Sequence, residues 1–418
     1  MIRSVKGTHD ILPDQTWRWR KIESDLHSFM QKYGYQEIRT PAFEKTELFA
    51  RGIGEETDIV SKEMYSWTDQ GGEKLTLKPE LTAPVVRSFI QHNLGSQSAV
   101  NRLYYMDSLF RRERPQKGRT RQFHQFGAEV FGSEHPEADV EIIAISYNFY
   151  KDLGIVDLTL KLNSIGSEEC RNNYRNELRN YLKPYLSDLT KTSQNRFKNN
   201  PLRILDTKVE HEIELLKNAP EIGDFLTDED KVHFQEVKSL LNALSIPYVI
   251  DSQMVRGLDY YTRTTYEITS NTLGSQDALC GGGRYDKLVE TLGGKSTPAV
   301  GFAAGIERLL LALESKTAES KEKSVQINII GLTEKVRSSC QVLAQELRKK
   351  GFSVSTDLLR RSLKSLLREA NRYSARIVVI IGDEELANDV VQVKDMEAGD
   401  QISIAKNRLI EYLTDLDF

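Results

Sequence analysis

The chain has 418 residues, more than one ordinary hydrophobic core accommodates, and this length predicts about two or three domains. Its 57 Lys and Arg residues nearly balance 61 Asp and Glu residues, for a formal charge of −4. This balance excludes a polycation that binds nucleic acid indiscriminately, so any such contact must come from local basic patches. The three cysteines form no CxxC pair and the seven histidines no HExxH spacing, which argues against structural zinc and a disulfide framework.

The N-terminal segment, MIRSVKGTHDILP, is polar and lacks the long apolar stretch of a signal peptide. The longest apolar runs, such as residues 377–381, are too short to cross a bilayer. We therefore predict a cytoplasmic protein without membrane association.

The first third of the chain is predicted to alternate between helices and strands. Apolar residues at helical spacing predict a helix over 17–33 that stops at Gly34, and a short strand then ends at Pro41. Alternating side chains predict a strand over 99–113, with a possible antiparallel partner over 123–131. The basic, glycine-containing loop between these two strands is then the tip of a hairpin.

The rest of the chain divides by composition. A helix is predicted from Pro136 to Gly154. From about 164 to 250 the sequence is polar, charge-rich and mostly helical, which predicts an inserted helical domain. Strands and glycine-rich segments resume over 251–313, a polar Lys/Glu/Ser run follows as a linker, and alternating strands and helices over 325–418 predict a small α/β domain.

The densest group of chemically active side chains is FRRERPQKGRTRQFHQFGAEVFG, residues 110–132. From Arg111 to Arg121 there are six basic residues and one acid, Glu113, and a solvated hairpin tip is one interpretation of such a segment. Arg111 and Glu113 are two residues apart and are therefore predicted to share one sheet face. There an arginine can hold a phosphate while a carboxylate accepts a hydrogen bond from an adenine amino group.

Phe-Arg-x-Glu followed by a loop and an aromatic strand resembles motif 2 of the class II aminoacyl-tRNA synthetases, and RERPQKGRTRQFHQ is similar to their histidine-specific branch. The resemblance implies that Arg111 contacts the α-phosphate of ATP and the amino-acid carboxylate, and Glu113 the adenine. It also implies that Gln116, Arg119 and Arg121 lie in the loop that meets the acceptor end of tRNA, with Arg119 able to reach ATP.

The segment MVRGLDYYTRTTYE, residues 254–267, has the simpler interpretation of a buried strand with a glycine turn. It also resembles a signature of the histidyl-tRNA synthetases in which Arg256 faces the α-phosphate. Attack of a carboxylate on phosphorus spreads negative charge over the phosphate oxygens, and a fixed guanidinium stabilises that charge in the transition state. The resemblance therefore implies that Arg111 and Arg256 are catalytic, without a covalent enzyme intermediate.

Two further glycine-containing segments can each be interpreted as purely structural. ALCGGGRYDKLVETLGG would then be a tight turn, and AVGFAAGIERLLLAL a core helix with a surface arginine. The first resembles the other histidine-specific signature, in which Tyr285 lines the amino-acid pocket. The second resembles motif 3, in which Arg308 binds the γ-phosphate of a bent ATP. Gly301 and Gly305 would then let the backbone approach the nucleotide closely.

An imidazole needs a pocket that satisfies one donor and one acceptor nitrogen. The resemblance implies that one group of side chains holds the α-amino group and another surrounds the ring. The implied histidine-binding residues are Glu80, Thr82 and Gln125 for the amino group and Glu129, Tyr261 and Tyr285 for the imidazole. Without the surrounding motifs, both tyrosines would equally suit a hydrophobic core.

Near the C-terminus, a predicted helix from about 358 carries one apolar and one basic face. The apolar positions are Leu359, Leu363, Leu366, Leu367 and Ala370, and the basic ones are Arg361, Lys364, Arg368 and Arg372. A solvated surface is one interpretation; the resemblance implies an anticodon-binding domain, whose basic face suits phosphate contacts. Pro41 resembles the motif 1 proline, which implies a homodimer interface there.

The resemblance covers essentially the whole chain and implies an α+β fold: an antiparallel catalytic sheet with flanking helices, a helical insertion and a C-terminal α/β anticodon-binding domain. The expected limits are 1–320 for the catalytic domain, about 167–250 for the insertion and 325–418 for the last domain. The expected substrates are ATP, L-histidine and tRNA(His), with Mg²⁺ bound through ATP and not in a protein cage.

Two rival functions remain at this level. A synthetase-like regulatory subunit that binds histidine is one; such paralogues typically lack the Arg256 signature and the anticodon domain, and both are recognisable here. A class II synthetase for another amino acid is the second, and the two histidine-specific motifs oppose it. A class I synthetase is disfavoured because no KMSKS-like loop occurs.

Overall fold

The computed structural model describes residues 1–54, 57–116, 118–205, 207–254, 258–314 and 325–416. The chain forms two compact units, residues 1–317 and 318–418. Within the described residues, no helix is both long enough and apolar enough to cross a membrane. The domain limits expected from the sequence stay predictions.

The first unit is built on one large sheet. In chain order its strands are β1 (Gln36–Glu37), β2 (Phe43–Lys45), β3 (Tyr65–Thr68), β4 (Lys74–Leu77), β5 (Asn101–Phe110), β6 (Gln122–Phe131), β7 (Leu158–Ser164), β8 (Val249–Ile250), β9 (Thr262–Ser270), β10 (Ala278–Arg284) and β11 (Ala299–Gly305). The large sheet has the spatial order β1-β5-β6-β11-β10-β9-β7-β8, and β2, β4 and β3 form a small separate one. All pairings from β5 to β7 are antiparallel, and the short edge strands β1 and β8 add in parallel. The predicted antiparallel sheet is confirmed.

Helices cover this sheet. They are α1 (Pro13–Lys32), α2 (Thr46–Ile53), α3 (Thr82–Gln91), α4 (Pro136–Asp152), α5 (Glu168–Leu182), α6 (Lys191–Asn199), α7 (Glu210–Leu216), α8 (Asp228–Ala243), α9 (Leu288–Thr291) and α10 (Ile306–Leu313). Apolar side chains of α1, α4 and α8 share one core with strand residues such as Phe126 and Phe302. Helix α5 instead buries Tyr174 and Leu178 in a separate, smaller core that also includes Tyr261. The predicted insertion therefore packs partly on itself and partly on the main sheet.

The hairpin predicted around the basic loop is present. Strands β5 and β6 pair in antiparallel register from Asn101 opposite Phe131 to Phe110 opposite Gln122. The strand ends before the predicted residue 113, because the N–H of Arg112 donates to the carbonyl of Glu63 at 2.6 Å and not to the partner strand. The predicted helix from Pro136 is α4.

The second unit is a five-stranded α/β domain, as predicted. Its elements are the strands β12 (Ile327–Gly331), β13 (Val354–Thr356), β14 (Ile377–Ile381), β15 (Val390–Asp395) and β16 (Gln401–Ala405) and the helices α11 (Arg337–Lys349), α12 (Leu363–Arg372), α13 (Asp383–Ala387) and α14 (Leu409–Thr414). The order is β13-β12-β14-β15-β16, with the first three strands parallel and the last two antiparallel. Helices α11 and α14 contribute to one core and α12 to another, so the buried β12 and β14 are apolar on both faces.

The start of the predicted basic helix is wrong by several residues. Helix α12 begins at Leu363, and Leu359 lies before it with 70% of its surface exposed. Asp357 accepts the backbone N–H groups of Leu359 and Arg361, both at 2.9 Å, and this side-chain turn competes with helix formation. Arg361 forms ion pairs with Asp357 and Glu369 and does not continue the basic helix face.

Candidate active site

A cavity of about 1020 Å³ lies in the first unit, over the central strands β6, β9, β10 and β11. Its wall includes side chains from the hairpin loop, the start of α3, β10, β11, the start of α10 and the insertion. The predicted site residues that line it are Glu80, Thr82, Arg111, Glu113, Gln116, Arg119, Gln125, Tyr261, Tyr285 and Arg308. Segments more than a hundred residues apart in sequence thus contribute to one cleft.

Arg111 lies at one side of this cavity, just beyond β5. Its Nε donates to the carbonyl of Pro79 at 2.8 Å, and its guanidinium carbon lies 5.1 Å from the centre of the Phe123 ring. Burial lowers the pKa of Arg111, while the nearby carboxylates of Glu113 and Glu63 oppose this shift. These contacts fix the direction of a cation that has been removed from water.

Arg308 reaches the same cavity from the first turn of α10. One of its terminal nitrogens donates to the carbonyl of Ala278 at 2.9 Å. Burial lowers the pKa of Arg308, Arg119 lowers it further, and Glu113 and Glu267 raise it. Like charges that converge in a partly buried cleft repel one another, and a polyanionic ligand would relieve this repulsion.

Glu113 carries the carboxylate expected beside these arginines. Arg119 approaches its Oε2 at 3.4 Å, so the predicted adenine-binding and ATP-binding residues of the loop are neighbours. The predicted catalytic residue Arg256 lies outside the described residues.

Glu129 is fully buried in β6 and is hydrogen-bonded to two side chains that line the cavity, Thr82 and Tyr285. Its carboxylate accepts three hydroxyl hydrogen bonds: from Thr82 at 2.9 Å, from Tyr105 at 2.9 Å and from Tyr285 at 2.5 Å. Burial raises the pKa of Glu129 to about 8, and the three hydroxyls limit that rise. A carboxyl group whose pKa lies near neutral pH can either accept a hydrogen bond from a ring nitrogen or, when protonated, donate one to it.

Gly301 is necessary for this arrangement. It lies opposite Glu129 across the β6–β11 pair, and a β-carbon there would fall 1.6 Å from Oε2 of Glu129. The sequence interpretation assigned this glycine to close approach of the nucleotide. In the structure, the space beside it holds the Glu129 carboxylate.

Glu80 and Gln125 are the acceptors expected for an α-amino group. Glu80 accepts backbone N–H groups of Thr82 at 2.8 Å and Ala83 at 3.0 Å and so caps α3. Burial raises the pKa of Glu80 to about 7, and these backbone bonds oppose the shift. The buried Oε1 of Gln125 has no hydrogen-bond partner among the described residues, which favours a ligand that donates to it.

Comparison with known proteins identifies the family. A family model described as histidyl-tRNA synthetase matches residues 7–309, and one described as anticodon binding domain matches residues 326–416. A histidine–tRNA ligase of Thermotoga petrophila is 46% identical over 414 residues, which cover 99% of this chain and 98% of the relative. The chain belongs to the histidyl-tRNA synthetase family.

Solved structures agree with this membership. The apo histidyl-tRNA synthetase of S. aureus superposes with a TM-score of 0.83 at 38% identity and covers 99% of both chains. A structure from Bacillus halodurans, described as an ATP phosphoribosyltransferase regulatory subunit/histidyl-tRNA synthetase, has a TM-score of 0.66 at 23% identity over 91% of this chain and 98% of its own. The second likeness shows the fold alone.

Two tyrosines of this synthetase site were missed by sequence reasoning. Tyr105 bonds Glu129 from β5, and Tyr260 packs between Tyr261 and Tyr285, with ring centres 4.8 and 5.6 Å away. Strand alternation would place consecutive tyrosines on opposite faces, but Tyr260 and Tyr261 precede β9, where the chain forms a turn. The adjacent tyrosines of the signature were the available signal for Tyr260, whereas Tyr105 had none.

Among the described residues, three predicted site residues do not line the cavity: Glu129, Arg121 and Pro41. The backbone N–H of Arg121 donates to the carbonyl of Gly7 at 2.7 Å, and its side chain packs so closely on Gly7 that a β-carbon would lie 2.9 Å from Cγ. Arg121 thus holds the N-terminal segment against the hairpin loop. Pro41 is exposed on the isolated chain, and its expected place in a dimer interface stays a prediction.

The arginine of the GGGRYD signature is structural. Arg284 is fully buried and forms an ion pair with the equally buried Asp139 of α4. It also donates to the carbonyl of Ser133 at 2.8 Å and to Asp286 at 3.1 Å. These bonds satisfy a buried guanidinium and fix the strand end that carries Tyr285.

Proposed function

We propose that the chain is a histidine–tRNA ligase, which converts histidine and ATP into histidyl-adenylate and pyrophosphate and then transfers histidine to the 3′-terminal adenosine of tRNA(His). The observation that carries the proposal is one cavity lined by convergent arginines and by Thr82 and Tyr285, whose hydroxyls donate to the buried carboxyl group of Glu129. Membership of the histidyl-tRNA synthetase family supports the same reaction.

The arginine side suits ATP. Arg111 would contact the α-phosphate and the histidine carboxylate, and Arg308 would contact the γ-phosphate. Arg119 and Glu113 would bind the nucleotide between the hairpin loop and α10. When the carboxylate attacks the α-phosphorus, negative charge grows on the phosphate oxygens, and guanidinium groups already held by backbone carbonyls stabilise it without reorganisation. Arg256 is proposed to act on the same phosphate.

The carboxylate side suits histidine. Glu80, Thr82 and Gln125 would hold the α-ammonium group, since the cavity wall there presents acceptor oxygens. Glu129 with Tyr285 would pair with one nitrogen of the imidazole, and Tyr261 would close the pocket against the ring. The hydroxyl ring around Glu129 keeps its carboxylate in place, so selectivity rests on buried polar groups that a non-matching side chain would leave unpaired.

The cavity wall also fits Mg²⁺ delivered with ATP. The carboxylates of Glu267 and Asp277 line the cavity, and hard oxygen donors of this kind bind Mg²⁺ together with phosphate oxygens and water. Bound there, the ion would neutralise phosphate charge.

The remaining parts of the proposal concern partners. Gln116 and Arg121 would meet the acceptor end of tRNA(His), the second unit would bind the anticodon, and Pro41 would lie in a homodimer interface. A cytoplasmic location is part of the same proposal.

Pyrophosphate exchange with each standard amino acid in turn tests the function. Histidine alone should support exchange, and tRNA(His) should then be charged. Exchange with another amino acid would refute histidine selectivity. A folded chain that binds histidine but supports no exchange would favour the regulatory alternative.

A further inference from the structure

The first helix of the insertion contacts the turn that leads into β9. Arg171, in the first turn of α5, donates through one terminal nitrogen to the carbonyl of Tyr261 at 2.7 Å and to that of Asp259 at 3.3 Å. Burial lowers the pKa of Arg171, so these carbonyls offset part of the cost of removing its charge from water.

A second contact joins the insertion to the same turn. The amide nitrogen of Asn200 donates to Oδ1 of Asp259 at 3.0 Å, and Nε of Arg203 lies 3.8 Å from that oxygen. On its other side the carboxylate packs on Gly54, where a β-carbon would lie 3.0 Å from Oδ2. Asp259 is therefore enclosed between the insertion and the chain that follows α2.

The turn held in this way carries the Tyr261 ring. Tyr261 directly precedes β9, whose ladder begins at Thr262, and Arg171 donates to its carbonyl. Its side chain is buried, lines the main cavity and lies so near Gly283 that a β-carbon there would be 3.0 Å from Cδ1. Such close packing means that a small shift of the turn would displace the ring.

We infer that Arg171 is a positioning residue of the histidine pocket, which sets Tyr261 through the backbone carbonyls of Asp259 and Tyr261. The inference rests on the proposed function, because it assumes that histidine binds beside Tyr261. This role of Arg171 would make the helical insertion part of the amino-acid site, in addition to any contact that the insertion makes with tRNA. An arginine suits the task because its planar, multi-donor head can serve two carbonyls at once, whereas a lysine is a flexible point charge.

The test compares Arg171→Ala and Arg171→Lys with Lys183→Ala in the full-length chain. Lys183 is an exposed cation at the C-terminal end of the same helix, about 18 Å along it from Arg171, so it is the control for loss of a positive charge from α5. In pyrophosphate exchange, the KM for histidine should rise about tenfold in Arg171→Ala, because small misplacements of binding groups have effects of this size. Arg171→Lys should lie between Arg171→Ala and wild type, with the KM for ATP unchanged in both.

Three results would overturn the inference. One is a KM for histidine in both Arg171 variants equal to that of Lys183→Ala. Another is a rise in the KM for ATP as large as that for histidine, which would indicate general loss of structure. If Arg171→Ala does not fold, the test rests on Arg171→Lys alone. The third result is then an unchanged KM for histidine in Arg171→Lys. The proposed function fails separately, if the wild-type chain shows no histidine-dependent exchange.

Discussion

Gly301 and Glu129 face each other across two neighbouring strands, and the glycine leaves the space that the buried carboxylate occupies. Glu129 in turn collects hydroxyl bonds from α3, β5 and the end of β10. The histidine side of the cavity is therefore assembled around one buried carboxyl group, whose position depends on the absence of a side chain at Gly301.

Gly301→Ala should displace Glu129 and abolish histidine-dependent exchange. We expect a loss of about 1–3 kcal/mol in the free energy of unfolding, because an added methyl in a packed interior forces backbone and side chains apart. Gly305→Ala, in the same strand, is the control, since its β-carbon would meet only ordinary contacts, the nearest 3.8 Å away. Thermal denaturation measures the loss of stability, and the rate of histidine-dependent pyrophosphate exchange measures the loss of activity. Equal melting temperatures for the two variants would contradict the steric argument.

Glu129→Gln should change how stability depends on pH. The pKa of Glu129 is raised by burial from an ordinary 4.5 to about 8, so the folded chain binds this proton more tightly than the unfolded chain. Its stabilising contribution is complete below the ordinary value and is lost as the pH rises through about 8. The melting temperature of Glu129→Gln relative to wild type should therefore increase across this window. The same measurement on Glu137→Gln, an exposed position on α4, is the control, and parallel profiles for both variants would refute the shift.

Arg111→Ala should slow adenylate formation. Removal of one preorganised donor to developing phosphate charge costs about 3 kcal/mol, or roughly a hundredfold in rate. Arg112→Ala is the matched control, because Arg112 is exposed and is not among the side chains that line the cavity. Single-turnover formation of histidyl-adenylate is the measurement. A normal rate in Arg111→Ala would remove this residue from the mechanism.

The exposed basic face of α12 should contribute to tRNA binding. Lys364 and Arg368 are exposed one turn apart, while Arg361 is held by Asp357 and Glu369. The double variant Lys364→Ala/Arg368→Ala should weaken tRNA binding and reduce its salt dependence by about one unit of slope per lost phosphate contact. Pyrophosphate exchange should not change. The double variant Lys349→Ala/Lys350→Ala at the end of α11 removes the same number of exposed positive charges, and an identical effect from it would show that the α12 face has no particular role.

The local sequence was sufficient to predict the elements that short-range patterns specify. The alternation on both sides of the basic loop specified the β5–β6 hairpin, and Pro136 marked the first turn of α4. The motifs also indicated which arginines, carboxylates and tyrosines to examine, because each motif keeps its residues within one turn or strand. Where a local side-chain bond competed with helical periodicity, as at Asp357, the predicted helix start was wrong.

Only the tertiary structure decided how distant segments meet. No periodicity relates Tyr105 to Glu129 or Arg171 to Tyr261, since these contacts join separate elements. The role of Gly301 likewise depends on the register between β6 and β11. A sequence determines which groups are available and the local conformation that carries them. Their charge environment and the space around them arise from packing, and packing sums over residues far apart along the chain.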